Sequence, residues 1–166
     1  MIVQAMPNGP AIDMPAGPSE VLVIVDASSN ASFAAADLLA QAEHGPDSQV
    51  VCLSDSAEKL REIVAEVKSQ SKKLPRQAIV NKALQYARLI KVDNINDAIS
   101  VSNRYAPEHL ILAIDDAEDK LPLVSAAGSV FLGQWAPESL GDYCSGTNHT
   151  LPTNGFARAY SGVSTA

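Results

Sequence analysis

The sequence predicts a three-layer α/β/α fold built on a mostly parallel sheet of about five strands. Three observations carry this. Five short runs rich in β-branched and aliphatic residues punctuate the chain, every interval between them carries apolar residues at helical spacing, and 166 residues with 46% hydrophobic content suffice for one core. Strands that alternate with helices favour parallel pairing through right-handed crossovers, with helices on both faces.

The elements follow in order. Residues 1–20 form an irregular lead-in, Pro/Gly-rich from residue 7 to 18. Strands are expected at 21–26, 49–54, 88–92, 110–114 and 129–133, and helices at 31–43, 57–71, 77–87, 95–103 and 117–126. From residue 134 to the end the periodic pattern gives way to Gly, Pro, Ser, Thr and Asn, so 134–166 reads as a loop-rich tail of the same domain. A loop of that length in a compact domain is functional or meets a partner. In doubly wound parallel sheets ligands collect at the carboxyl ends of the strands, which is where a site is first expected.

Composition narrows the function. A formal charge of −7 argues against nucleic-acid or anionic-membrane partners, either of which needs a concentrated basic patch. Cys52 and Cys144 are far apart and form no CxxC pair, which suits a reducing compartment such as the cytoplasm, or a plastid in a plant. No signal peptide or membrane-length apolar run stands out. GxGxxG, P-loop, HExxH and GxSxG motifs are all missing.

Three polar segments concentrate the titratable chemistry. In "LLAQAEHGPDS", Gln41 and His44 stand three apart at the end of a helix stopped by Gly45-Pro46, so both share one face of its last turn. They could bind a metal, or His44 could simply meet the helix dipole and the last carbonyls. In "YAPEHLIL", Pro107 steers Ala106 away from helix and leaves Glu108 and His109 in an extended or turning approach to a strand, where adjacent side chains diverge. That pair is either a site or a strand-end histidine beside a solvated glutamate. In "GDYCSGTNHTLP", Asp142 and His149 flank a loop able to bring an oxygen ligand and an imidazole together. Ahead of the first strand, Gly17, Pro18 and Ser19 make a loop where a missing Cβ permits close approach to a ligand. A mixed N and O donor set of Gln, His, Asp and His suits a divalent transition metal such as zinc.

The strings "DMPAGPSEVLVIVD", "DLLAQAEHGPDSQVV", "RYAPEHLIL" and "AGSVFLGQWAPESLGDYCSGTNHTLPTNGFARAYSGVS" closely resemble the L-histidinol dehydrogenase family, in its order and across almost the whole chain. The resemblance implies a Rossmann-like half of an architecture closer to aldehyde dehydrogenase than to dinucleotide-fingerprint folds. It implies zinc-dependent, NAD-dependent oxidation of L-histidinol to L-histidine through the aldehyde, in a homodimer of the full enzyme. By resemblance Gln41, His44 and Asp142 fall on zinc ligands and Glu108 and His109 on the acid/base pair. Ser19 and His149, together with Gln41, His44, His109 and Asp142, fall on the substrate side. Most NAD contacts, and a fourth zinc ligand from the partner subunit, are expected on family segments outside this sequence, and Asn154 stands where relatives usually carry tyrosine. The alternative expectation is a non-catalytic metal-binding or assembly module derived from that enzyme; a zinc hydrolase lacks any motif in its favour.

Overall fold

Apolar residues at every position of a run leave a strand no solvent face, and Val21 to Val25 obey that rule: all five are fully buried. The computed structural model describes residues 14–15, 17–143 and 145–161. Its elements are β1 (Glu20–Val25), α1 (Ala31–Ala42), β2 (Gln49–Ser54), α2 (Ala57–Gln70), α3 (Gln77–Ala83), β3 (Arg88–Lys91), α4 (Ile95–Tyr105), β4 (His109–Ala113), α5 (Ala117–Lys120) and β5 (Ser129–Leu132). The five strands are all parallel in the order β3-β2-β1-β4-β5. The chain reverses its direction of growth between β1 and β4, the switch point of a doubly wound sheet. The α/β class expected from the sequence is what the chain adopts.

Side chains alternate across the sheet into two cores. Val21, Val23 and Val25 pack with Leu38, Leu39, Ile63 and Val80 beneath α1, α2 and α3. Leu22, Ile24, Leu110 and Leu112 face Ala98, Ile99 and Ala117 of α4 and α5. Each fully buried aliphatic side chain contributes about 1.5–3 kcal/mol. The helices start where side chains cap them: Asn30 accepts from the amides of Ser32 and Phe33, Ser56 from Lys59, and Asn94 from Asp97.

Several boundaries differ from expectation. The helix expected at 117–126 is one α-turn followed by a 3-10 turn Leu121–Leu123, because Pro122 lacks an amide hydrogen and its ring opposes a continuing helix. α3 stops at Ala83, and the amides of Tyr86 and Ala87 bond to Ala83 and Leu84 in tightened turns that bend the chain into β3. β1 and β4 each begin one residue earlier than expected, which brings Glu20 and His109 into the sheet.

Cys52 lies buried in β2; Cys144, most of the lead-in and the last five residues fall outside the described residues. Among those described, no helix is long and apolar enough to cross a membrane.

Candidate active site

The strand-end register decides where chemistry can gather. Parallel pairing sets Val21 opposite His109, so Glu20, the first residue of β1, lies next to the start of β4 at the amino edge of the switch-point strands. α1 runs back against the strands and returns its last turn, with Gln41 and then His44, toward that same edge. The segment after β5 also returns along α1, where the amide of Glu138 donates to Asp37 Oδ1 at 3.2 Å. The candidate site therefore lies at the amino ends of the strands and not at the carboxyl ends. At the carboxyl end of β1, Asp26 accepts hydrogen bonds from the amides of Ser28 and Asp115, which puts an acid where an anion cradle would need donors.

"YAPEH" is the hinge of the arrangement. α4 ends at Tyr105, and Ala106 takes a left-handed conformation, φ 57°, with its amide bonded to Ser102 at 2.7 Å. The expected extended Ala106 is thus replaced by a left-handed helix cap, a conformation that is costly for a residue with a Cβ and is held here by full burial. Pro107 then forces the chain out of the helix. Glu108 and His109 are both only 7% exposed, so the solvated-glutamate alternative does not hold.

The expected divergence of the two side chains is not seen: Glu108 Oε2 stands 3.6 Å from His109 Nδ1. Both converge on Glu20. The Glu20 amide donates to Glu108 Oε2 at 2.9 Å, and His109 Nδ1 lies 3.0 Å from the Glu20 main-chain oxygen. A carbonyl only accepts, so Nδ1 carries the hydrogen and Nε2 bears the lone pair. Nε2 in turn lies 3.7 Å from Glu138 Oε1, so the imidazole sits between two carboxyls, with the ring of Phe131 beside it.

Burial sets the electrostatics. It pushes Glu108 up to about 7, with the negative charges of Glu20 and Glu138 adding to the rise. Glu138 is likewise raised to about 7 by burial and by Asp142 and Asp37. Burial lowers the pKa of His109, opposed by its bond to Glu20 and by the charge of Asp142, so the ring is held neutral. The charges of Asp142, His44 and His149 all act on His109, which brings the residues singled out in the tail and at the end of α1 into one electrostatic neighbourhood.

The remaining expected residues fall around this pair. Ser19 Oγ lies 3.5 Å from His44 Nδ1, and His149 Nδ1 pairs with Asp142 Oδ1 at 2.7 Å. Gln41 is fully buried, and neither its Oε1 nor its Nε2 has a hydrogen-bond partner among protein atoms. Among the described residues no three His, Cys, Asp or Glu side chains form a metal-holding group, so a cation here would depend on that amide oxygen. Gly17 meets protein rather than a ligand: a Cβ there would fall 2.5 Å from Asn154 Nδ2 and 2.9 Å from Thr153 Oγ1.

Sequence reasoning missed Glu20, Asp37 and Glu138. Glu20 had a signal, since an acid heading the apolar run "VLVIV" has no reason to be buried unless something there uses it. Asp37 and Glu138 had none, because their meeting depends on how the tail packs on α1.

A sequence model of the histidinol dehydrogenase family matches residues 4–166. The histidinol dehydrogenase of Xanthomonas axonopodis pv. citri is 60% identical over 162 residues, covering 98% of this chain and 38% of that protein. That of Vibrio vulnificus is 54% identical over 159 residues, with 96% and 37% covered. The crystal structure of histidinol dehydrogenase from Elizabethkingia anophelis superposes with a TM-score of 0.92 at 58% identity, covering 94% of this chain and 36% of that one. The chain thus spans less than two fifths of the length of these relatives. With both the sequence pattern and the fold matched over nearly all its residues, the chain belongs to the histidinol dehydrogenase family.

Proposed function

We propose that this chain carries the acid/base site of an NAD-dependent, zinc-containing L-histidinol dehydrogenase, which oxidises L-histidinol to L-histidinal and then to L-histidine. One observation carries the reading: a buried imidazole whose Nδ1 faces a main-chain carbonyl, which leaves Nε2 as the proton acceptor, lies directly beside a carboxyl raised to about 7. Two oxidations in sequence require two proton acceptors of different kinds, and this pair supplies them.

In the first step His109 Nε2 takes the hydroxyl proton of the alcohol; NAD, when bound, would supply the nicotinamide that accepts the hydride from the oxidised carbon. The low pKa of the ring keeps it in the neutral form that can accept. In the second step Glu108, as carboxylate, takes a proton from the water whose oxygen bonds to the aldehyde carbon as its C=O π bond opens to an oxyanion. The carboxyl forms when that carbon loses its hydride to the acceptor a second NAD would supply. A carboxyl near 7 accepts a proton more readily than an ordinary glutamate and still ionises at neutral pH.

Gln41, His44 and Asp142 would hold the zinc. The buried, unpartnered amide of Gln41 fits a cation ligand, because burial without a partner is unfavourable for it otherwise. Zinc bound there would supply an anchor for the imidazole and amino nitrogens of the substrate. Ser19 and His149 then orient the substrate, Ser19 through the hydroxyl that meets His44 and His149 through its pairing with Asp142. A fourth ligand and most NAD contacts are assigned to segments of a homodimeric full-length protein.

NADH formation from L-histidinol and from L-histidinal tests the reading. Activity is expected of the full-length protein containing this chain and not of the chain alone. A full-length protein that binds zinc and NAD yet oxidises neither compound overturns it.

A further inference from the structure

We propose that Glu20 is a positioning residue for the acid/base pair, its main chain orienting Glu108 and His109 and its carboxylate locking Glu108 to the loop at Asn154. The inference rests on the functional reading above for its consequence in turnover, but its geometry stands apart from it.

Glu20 opens β1 and is 2% exposed, and among the described residues no lysine or arginine pairs with it. A buried carboxylate without a cation is unfavourable unless its oxygens are taken up by donors. They are. Oε1 accepts from the amide of Asn154 at 2.9 Å, and Oε2 accepts from the amide of Glu108 at 3.4 Å. The Glu20 amide donates to Glu108 Oε2 at 2.9 Å and its carbonyl accepts from His109 Nδ1 at 3.0 Å. One residue thus touches both members of the pair and the tail that follows His149, and it does so with two separable parts. The main chain sets the Glu108 rotamer and the His109 tautomer. The side chain holds the Glu108 backbone against Asn154, whose left-handed φ of 54° aims its amide inward. A neutral acceptor cannot replace it. A glutamine has one oxygen for two amides, and keeping it on Asn154, the shorter bond, turns its NH2 toward the Glu108 N–H, donor against donor.

The test is Glu20→Gln. In the unaltered chain, hydrogen exchange at the Asn154 amide is expected to be slow although the residue is exposed, and the nitrogen shifts of His109 are expected to report Nδ1–H. In Glu20→Gln, exchange at Glu108 speeds up while Asn154, which keeps the amide oxygen, stays slow, and the His109 tautomer is unchanged because the main-chain carbonyl remains. In the full-length protein the same variant should lose about 10²-fold in the aldehyde step, as expected for a displaced catalytic group, with a smaller loss in the alcohol step. Fast exchange at Asn154 in the unaltered chain overturns the proposal even if the variant fails to fold. So does a Glu20→Gln chain with unchanged exchange at Glu108, or one whose His109 switches tautomer. If the full-length parent oxidises neither compound, the dehydrogenase reading fails, while exchange and tautomer still decide the role of Glu20.

Discussion

His109 Nδ1 lies 3.0 Å from the main-chain oxygen of Glu20, a contact made because the first residues of two adjacent parallel strands share one sheet edge. It leaves Nε2 as the only ring atom able to take a proton, 3.7 Å from Glu138 Oε1. The following expectations build on that geometry.

The two members of the pair should separate kinetically. In the full-length protein His109→Asn removes the proposed base and should lower alcohol oxidation by roughly 10²- to 10⁴-fold. Glu108→Gln should lower aldehyde oxidation by a similar factor and spare the alcohol step. Single-turnover NADH formation from histidinol and from histidinal reads both, with zinc content near that of the parent in each variant. Equal loss of both steps in both variants, or loss of zinc, returns the pair to a supporting role.

Much of this arrangement was legible in the sequence, and the limit is physical. Strand identity was written in "VLVIV" and "LILA", where continuous burial demands continuous apolarity. Glu108 and His109 were visible as a polar couple ahead of such a run, but not their convergence, because adjacent strand residues ordinarily point apart. Which end of the sheet carries the site was not, because it depends on α1 and the tail both returning to the amino edge. The left-handed Ala106 was hidden as well: the residue before a proline is biased toward extended backbone, and the buried helix end overrides that bias. Glu20 could be seen but not interpreted until its four hydrogen bonds were in place.

Gly128 should be intolerant of any side chain. Its amide bonds to Pro107, and a Cβ added to it would meet the Glu108 main-chain oxygen at 2.5 Å, a backbone atom that has no rotamer to escape into. Gly128→Ala is expected to destabilise the chain by about 1–3 kcal/mol, the usual cost of forced overpacking. Denaturant unfolding measures it; an unchanged midpoint means the 107–108 backbone yields freely.

Stability of the metal-free chain should fall as pH rises from about 4.5 to about 7. Glu108 and Glu138 both have folded values of about 7 against an ordinary 4.5, so between those values the folded chain holds protons that the unfolded chain has lost. Their contribution is complete below about 4.5 and gone above about 7, changing by at most about 1.4 kcal/mol per pH unit for each group. His109, lowered from 6.5, acts in the opposite sense but only below 6.5, where the unfolded ring charges first. Thermal midpoints in the presence of chelator should therefore drop between about pH 4.5 and 7 and level off above, with a shallower drop in Glu138→Gln. A flat profile, or a rising one, contradicts the burial of these carboxyls.

Self-association is expected of the isolated chain. Trp135 is 84% exposed and stacks edge-on against Phe33 at a 5.1 Å centroid separation, making an aromatic ridge with Pro137 beside it. Exposed apolar surface of this kind promotes contact between copies. Sedimentation velocity should show mass rising with concentration, less so in Trp135→Ser; a clean monomer at every concentration refutes it.

Gln41 offers the sharpest separation of stability from function. Its side chain is fully buried on the last turn of α1, and both polar atoms are unpartnered among protein atoms. A buried amide in that state costs about 1–3 kcal/mol relative to a satisfied one. Methionine has nearly the same length and volume and no hydrogen-bonding demand. Gln41→Met should therefore raise the thermal midpoint of the metal-free chain, while zinc affinity, measured by competition with a chromogenic chelator, falls sharply because the amide oxygen is gone. The parent should show the converse: a lower midpoint without metal and a rise when zinc is added, as for any ligand that binds only the folded chain. If Gln41→Met instead lowers the metal-free midpoint, an internal water satisfies the amide and its burial is structural. If the variant keeps the zinc affinity of the parent, Gln41 is not a ligand, and the cation must be held by His44 and Asp142 with other groups.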